Sequence, residues 1–111
     1  MTYKAVHRFA RIAPRKARLV AALIRGRQVD EALTQLDLSK KRGAWYLKYV
    51  LKSAIANAEE NDADRRYLYV TESRVDEGPT MKRFQPKDSG RAHQILKRTS
   101  HLVVAVDEKE A

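Results

Sequence analysis

The chain contains no cysteine. A disulfide framework, a zinc ribbon and a thiol nucleophile are therefore all excluded. Glycine and proline are scarce, four and three in 111 residues, which leaves no room for a collagen-like repeat or a low-complexity linker. No apolar run approaches the roughly 18–20 residues of a membrane span. The opening stretch MTYKAVHRFARIAPRK lacks the apolar segment of a secretory signal, so the expectation is a reducing, cytosolic compartment and no membrane partner. Patterns for chemistry are missing too. His7, His93 and His101 lie far apart without H-x-x-x-H spacing, and there is neither a G-x-S-x-G elbow nor a G-x-x-x-x-G-K phosphate loop. The acids Glu59, Glu60, Asp62 and Asp64 lack the glycine and closing glutamate of a calcium loop and read as a solvated helix end. These absences point away from an enzyme, a metal centre, a cofactor and a small-molecule substrate.

Acids are also missing, locally. Residues 1–28 carry eight Lys or Arg and no acid, and residues 78–101 carry six bases against Asp88 alone. Residues 29–77 hold eight bases and ten acids, and residues 102–111 are net acidic. The total of +9 thus comes from two basic regions flanking a near-neutral body, where a merely soluble protein would intersperse its charges. An anionic partner is implied, and nucleic acid is the commonest.

The length predicts a single domain over residues 1–111. Residues 3–12, with Tyr3, Val6, Phe9 and Ile12, alternate loosely and read as a strand. Pro14 opens a first helix whose apolar face is Ala17, Val20, Ala21 and Ile24, and Gly26 stops it. A short second helix over residues 29–36 turns Val29, Ala32, Leu33 and Leu36 inward. Ser39 is the expected cap of a third helix over residues 40–60, striped by Ala44, Leu47, Leu51, Ala54 and Ala58. Trp45, Tyr46 and Tyr49 read as packing in preference to base stacking. Residues 67–75 and 95–106 suit strands, Tyr67 and Tyr69 sharing one strand face, and residues 107–111 read as a frayed tail. The fold class is α+β: three helices on a small antiparallel sheet.

Two local rules are broken. Acids belong at a helix N-terminus and bases do not, because of the helix dipole. The second helix obeys, with Asp30 and Glu31. The first opens with Arg15, Lys16 and Arg18, and the third with Lys40, Lys41 and Arg42. Either these are solvated basic faces, or a bound phosphate reverses the sign; two such ends in one strongly basic chain favour phosphate. The second breach is the segment GPTMKRFQPKDSGRAHQILKRTSH at residues 78–101. Hairpin loops usually hold two to five residues. Pro79 and Pro86 keep its arms out of a central sheet. An arm of about ten residues could reach roughly 33 Å, beyond a globule whose radius of gyration is about 13 Å. It reads as a protruding two-stranded β-hairpin, and its cations Lys82, Arg83, Lys87, Arg91, Lys97 and Arg98 need a polyanion around them. A disordered loop is the competing reading. Asp76 and Glu77 read as fixing the turn into the hairpin or pairing with arginines.

Four blocks carry a resemblance. I-x-P-R-K-A-R-L-V-x-x-L-I-R-G at residues 12–26, L-K-S-A-I-A-N-A at 51–58, V-D-E-G-P-T-M-K-R at 75–83 and G-R-A-H-Q-I-L-K-R-T-S-H at 90–101 are similar to the bacterial-type large-subunit ribosomal protein twenty-two family, in the family's order. The resemblance implies a structural, RNA-binding protein of the large ribosomal subunit in the cytoplasm. Its partners would be large-subunit ribosomal RNA, neighbouring ribosomal proteins and the nascent polypeptide. The implied hairpin runs among RNA domains and lines the peptide exit tunnel, and the family assists assembly. Carried onto this chain, the tunnel hairpin residues are Met81, Lys82, Arg83, Phe84, Gly90 and Arg91, with residues 97–101 on the returning arm. The cations expected to meet RNA are Arg8, Arg11, Arg15, Lys16, Arg18, Arg25, Arg27, Lys40, Lys41, Arg42, Lys82, Arg83, Lys87, Arg91, Lys97 and Arg98. The chain departs from the family at the tip, where Lys87, Asp88 and Ser89 follow Pro86, and at Ala13, where a serine cap is usual. An architectural DNA-binding protein with a basic β-arm is the alternative.

Overall fold

The computed structural model describes residues 2–86 and 92–109, with the backbone alone for 81–86 and 92–96. Among the described residues nine elements follow one another: β1 (Thr2–Ala10), α1 (Pro14–Ile24), α2 (Val29–Leu38), α3 (Arg42–Glu60), a 3₁₀ turn (Arg65–Tyr67), β2 (Leu68–Glu77), β3 (Met81–Pro86), β4 (Ala92–Lys97) and β5 (Ser100–Glu108). β1, β5 and β2 form one antiparallel sheet with β5 in the centre, and β3 pairs with β4 in a second, two-stranded sheet. The expected α+β architecture, three helices on a small sheet plus a β-hairpin, is the one the chain adopts.

The helices form where apolar spacing and backbone stops coincide. Pro14 sits at the start of α1, and Ala17, Val20, Ala21 and Ile24 are fully buried. Gly26 ends the helix in a left-handed conformation (φ 77°) that a side chain would strain, and its N–H donates to the Val70 carbonyl at 2.9 Å. α2 is capped by Gln28, whose Oε1 accepts from the Asp30 N–H at 2.8 Å. Glutamine is a weak cap by propensity, which is why the sequence did not mark it. The expected stripe of α3 is buried, joined by Gly43, Val50 and Ile55.

Several boundaries move. Ser39 ends α2 and does not begin α3: its N–H donates to the Leu36 carbonyl and its Oγ accepts from the Lys41 N–H at 3.3 Å. Lys41 is the α3 cap residue, so Lys40 precedes the helix. β1 ends at Ala10, two residues early, because a bulge lies between His7 and Ala10, with Phe9 at φ 58°. The half-buried positions of β1 are Tyr3, Ala5 and His7, whereas Val6 and Phe9 are exposed. Tyr67 belongs to the 3₁₀ turn, so it and Tyr69 are not a strand-face pair. The supposed tail begins as strand, with Asp107 and Glu108 in β5. Asp107 pairs with Thr2 and Tyr69, and the Lys109 N–H donates to the Tyr67 carbonyl at 2.8 Å. Glu110 and Ala111 lie outside the described residues.

The expected strand over 95–106 is split. β4 stops at Lys97, β5 starts at Ser100, and the outgoing chain breaks likewise between Glu77 and Met81. Three hydrogen bonds make a neck between the sheets. Gly78 N–H donates to the Thr99 carbonyl at 3.0 Å, Thr99 Oγ1–H to the Pro79 carbonyl at 2.6 Å, and Ser100 Oγ–H to the Ile12 carbonyl at 2.6 Å. Thr99 and Ser100 are buried. A Cβ on Gly78 would stand 2.5 Å from Thr99 Oγ1, so any side chain there would displace the neck. The molecule measures 67 × 24 × 16 Å, with a radius of gyration of 17.1 Å against about 13 Å for a compact chain of this length.

A candidate nucleic-acid interface

Helix packing brings the two misplaced basic termini together. Gly43, in the first turn of α3, lies so close to α1 that a Cβ would come within 3.3 Å of Ile12 Cδ1 and Val20 Cγ2. That approach sets the start of α3 beside the start of α1. Arg98, leaving β4, completes the wall. The result is an open cleft of about 730 Å³ lined by Arg11, Ile12, Ala13, Lys16, Leu19, Lys41, Arg42, Gly43, Lys97 and Arg98. Six of these ten residues are cations and none is an acid.

Neither helix end in the cleft is closed by its own side chain. Ala13 and Lys41 occupy the cap positions and make no side-chain cap hydrogen bond, in contrast to Gln28 on α2. Early peptide N–H groups of α1 and α3 thus remain without side-chain acceptors, and both dipoles present their positive ends in a place already crowded with positive charge. In the free protein this repels. Against an anion, every one of these contributions changes sign.

The remaining expected contact residues fall into groups. Arg15 is exposed on the first turn of α1, and Arg8 and Lys40 are exposed on β1 and before α3. Arg18 donates from Nε and Nη2 to the Val75 carbonyl, and Arg25 from Nε to the Ser73 carbonyl at 2.8 Å, so both also clamp α1 to β2. Arg27 donates to the Leu23 carbonyl at 2.7 Å, closing the end of α1. Met81, Lys82, Arg83 and Phe84 lie on β3, paired with Lys97, Leu96, Ile95 and Gln94. Lys87, Asp88, Ser89, Gly90 and Arg91 lie outside the described residues. His101 belongs to the neck: its Nδ1 accepts from the Phe9 N–H at 3.1 Å and its ring meets Phe9 edge-on at 4.9 Å.

Several of the acids are paired away from the cleft. Arg74 bridges Glu72 at 2.6 Å and Asp76 at 3.3 Å, which settles Asp76 as an arginine partner. Glu59 meets Arg65, and Asp64 meets Arg66 at 2.8 Å. Hydrogen bonds from the Arg66 side chain and then from its N–H hold the Asp64 carboxyl below its usual range, and Arg66 is raised in turn. Two features escaped the sequence: Gly43, whose value is proximity, and Leu19, 59% exposed on the cleft rim.

Comparison with known proteins gives the same direction. The model of the family Ribosomal protein L22p/L17e matches residues 5–107. The large ribosomal subunit protein uL22 of Thermoanaerobacter sp. (strain X514) is 54% identical over 111 residues, covering 99% of this chain and 100% of the relative. The same protein from Thermoanaerobacter pseudethanolicus (strain ATCC 33223 / 39E) matches to the same extent.

Proposed function

The chain belongs to the ribosomal protein L22p/L17e family, and from that membership we propose that it is a structural constituent of the large ribosomal subunit that grips large-subunit ribosomal RNA in its basic cleft. It acts by charge and position, without catalysis, in the cytoplasmic ribosome. The convergence of two uncapped helix N-termini and the base of the hairpin on one acid-free cleft carries this reading. RNA phosphates crossing the cleft neutralise Arg11, Lys16, Lys41, Arg42, Lys97 and Arg98 together. Most such contacts position the protein and carry little sequence information.

The two-stranded β3–β4 ribbon, paired with itself and joined to the domain by the neck, is the part that passes among RNA segments. Its Met81, Lys82, Arg83 and Phe84, with Gly90 and Arg91, form the portion facing the peptide exit tunnel and the nascent chain. Neighbouring ribosomal proteins meet the globular face. By tying together RNA segments distant in sequence, the protein assists assembly of the subunit.

The test is a binding titration of the intact protein with a structured large-subunit RNA fragment from 50 to 200 mM salt. Neutralising about six phosphates predicts a slope of log K on log salt near −4 to −5. A slope near zero, or equal preference for duplex DNA, overturns the reading.

A further inference from the structure

A second cleft lies between α3 and β1, and the basic cleft does not account for it. It holds about 310 Å³ and is lined by Ala5, Val6, His7, Trp45, Tyr46, Tyr49, Val50 and Ser53, at the small end of volumes that accommodate ligands, about 300 Å³ upward. Its aromatic groups are unevenly buried. Tyr46 is half-buried and meets His7 edge-on at 5.7 Å, whereas Trp45 is 57% and Tyr49 56% exposed. Trp45 touches Tyr46 and Tyr49 edge-on at 5.0 and 4.9 Å. The cluster holds the Trp45 indole at a steep angle to both tyrosines, with large apolar ring surface left to solvent. Packing alone explains Tyr46; it leaves Trp45 and Tyr49 unexplained.

The surroundings select the partner. No acid lines this cleft. Its far wall is β1, an edge strand of the three-stranded sheet, whose outer peptide groups lack a strand partner, although Asn57 Nδ2 donates to the Lys4 carbonyl there at 2.9 Å. At one end Arg42 donates from Nη2 to the Tyr46 hydroxyl at 3.3 Å with its guanidinium 5.8 Å from the ring centre. Arg42 also lines the basic cleft, so this one cation stands between that cleft and the aromatic one, which it reaches through Tyr46. Aromatic faces, an exposed sheet edge and an adjacent cation with no acid in the lining are the combination that receives unpaired bases of single-stranded RNA.

We propose that Trp45 and Tyr49 form a stacking site for an unpaired RNA base, on a strand that runs past Arg42 from the basic cleft. The site rests on the RNA-binding reading given above and extends it from phosphate contact to base contact. Its specificity is for unstacked nucleotides over duplex, with tolerance for base identity, because every base presents a π-face.

Trp45 is the single tryptophan of the chain, so its fluorescence reports the site directly. The intact protein is titrated at low salt with an eight-nucleotide oligoadenylate, with a blunt RNA duplex, and with polyglutamate as a polyanion resembling an acidic protein. Stacking predicts strong quenching by oligoadenylate, little by the duplex and none by polyglutamate. The double variant Trp45→Ala and Tyr49→Ala, checked for folding by circular dichroism, should bind oligoadenylate about tenfold more weakly and keep its duplex affinity. Trp45→Phe should restore most of the loss. Oligoadenylate binding with Trp45 unquenched and the double variant unimpaired overturns the stacking site and leaves the basic-cleft reading standing. Quenching by polyglutamate alone assigns the face to a protein partner and equally overturns it. Failure to bind any RNA would remove both readings.

Discussion

At the scale of single residues, the most informative are those whose polar atoms are wrongly or tightly housed. Ser73 is 1% exposed, and its Oγ lacks a hydrogen-bond partner. A buried hydroxyl without a partner costs stability, so Ser73→Ala should raise unfolding free energy by about 1 kcal/mol, measured by urea denaturation; a loss of stability would mean that the hydroxyl is satisfied. Gly78 is the opposite case. Its N–H holds the neck, and a methyl group there meets Thr99 Oγ1 and backbone. Gly78→Ala should cost about 1–3 kcal/mol, read as a lowered midpoint in thermal unfolding. Asp64 caps the 3₁₀ turn and pairs with Arg66. Its carboxyl titrates lower in the folded chain than unfolded, so its contribution is present above the unfolded value and disappears as pH falls through the folded one. Asp64→Asn should therefore reduce the loss of stability between neutral and acid pH; an unchanged acid limb contradicts that assignment.

At the scale of elements, periodic apolar faces were readable and their ends were not. α1 and the stripe of α3 follow from spacing alone because a buried helical face repeats. The start of α3 was misplaced because Ser39, a good cap by type, spends its Oγ on Lys41 N–H while Lys41 takes the cap geometry. The break of residues 95–106 into β4 and β5 was hidden because the neck is made by Thr99 and Ser100, both acceptable strand residues, whose hydroxyls turn inward to carbonyls far along the chain. The basic helix ends were visible as anomalies; their meeting was not, because it depends on the contact at Gly43. The aromatic trio was read as core or semi-exposed packing; Tyr46 is half-buried, whereas Trp45 and Tyr49 pack edge-on against each other with more than half of their surface exposed, and adjacency to a buried stripe does not reveal how far a ring lies outside it. An element-scale prediction follows from α3. Changing Lys40, Lys41 and Arg42 together to Glu should leave the free protein as stable or slightly more so, by a few tenths of a kcal/mol per charge near the dipole. It should weaken RNA binding and flatten its salt slope. Unaltered affinity in a filter-binding titration would reduce this helix end to a solvated face.

At the scale of the whole molecule, the core and the ribbon are built separately. The core lies between the helices and β1, β5 and β2; β3 and β4 hydrogen-bond with each other. Replacing Lys82, Arg83, Lys97 and Arg98 by Ala should therefore leave domain stability within about 0.5 kcal/mol, while incorporation into reconstituted large subunits falls. Unfolding of the domain by this change would show the ribbon to be part of the core. The neck that joins the two has a mechanical consequence. Six paired residues extend the ribbon about 20 Å from the neck. A tilt of about 10° at its base would thus carry the Pro86 end some 3–4 Å sideways, as far as the spacing between contacting atoms. Three short hydrogen bonds at residues 78–100 act as the fulcrum of a lever, and an error too small to melt the domain is enough to spoil its aim.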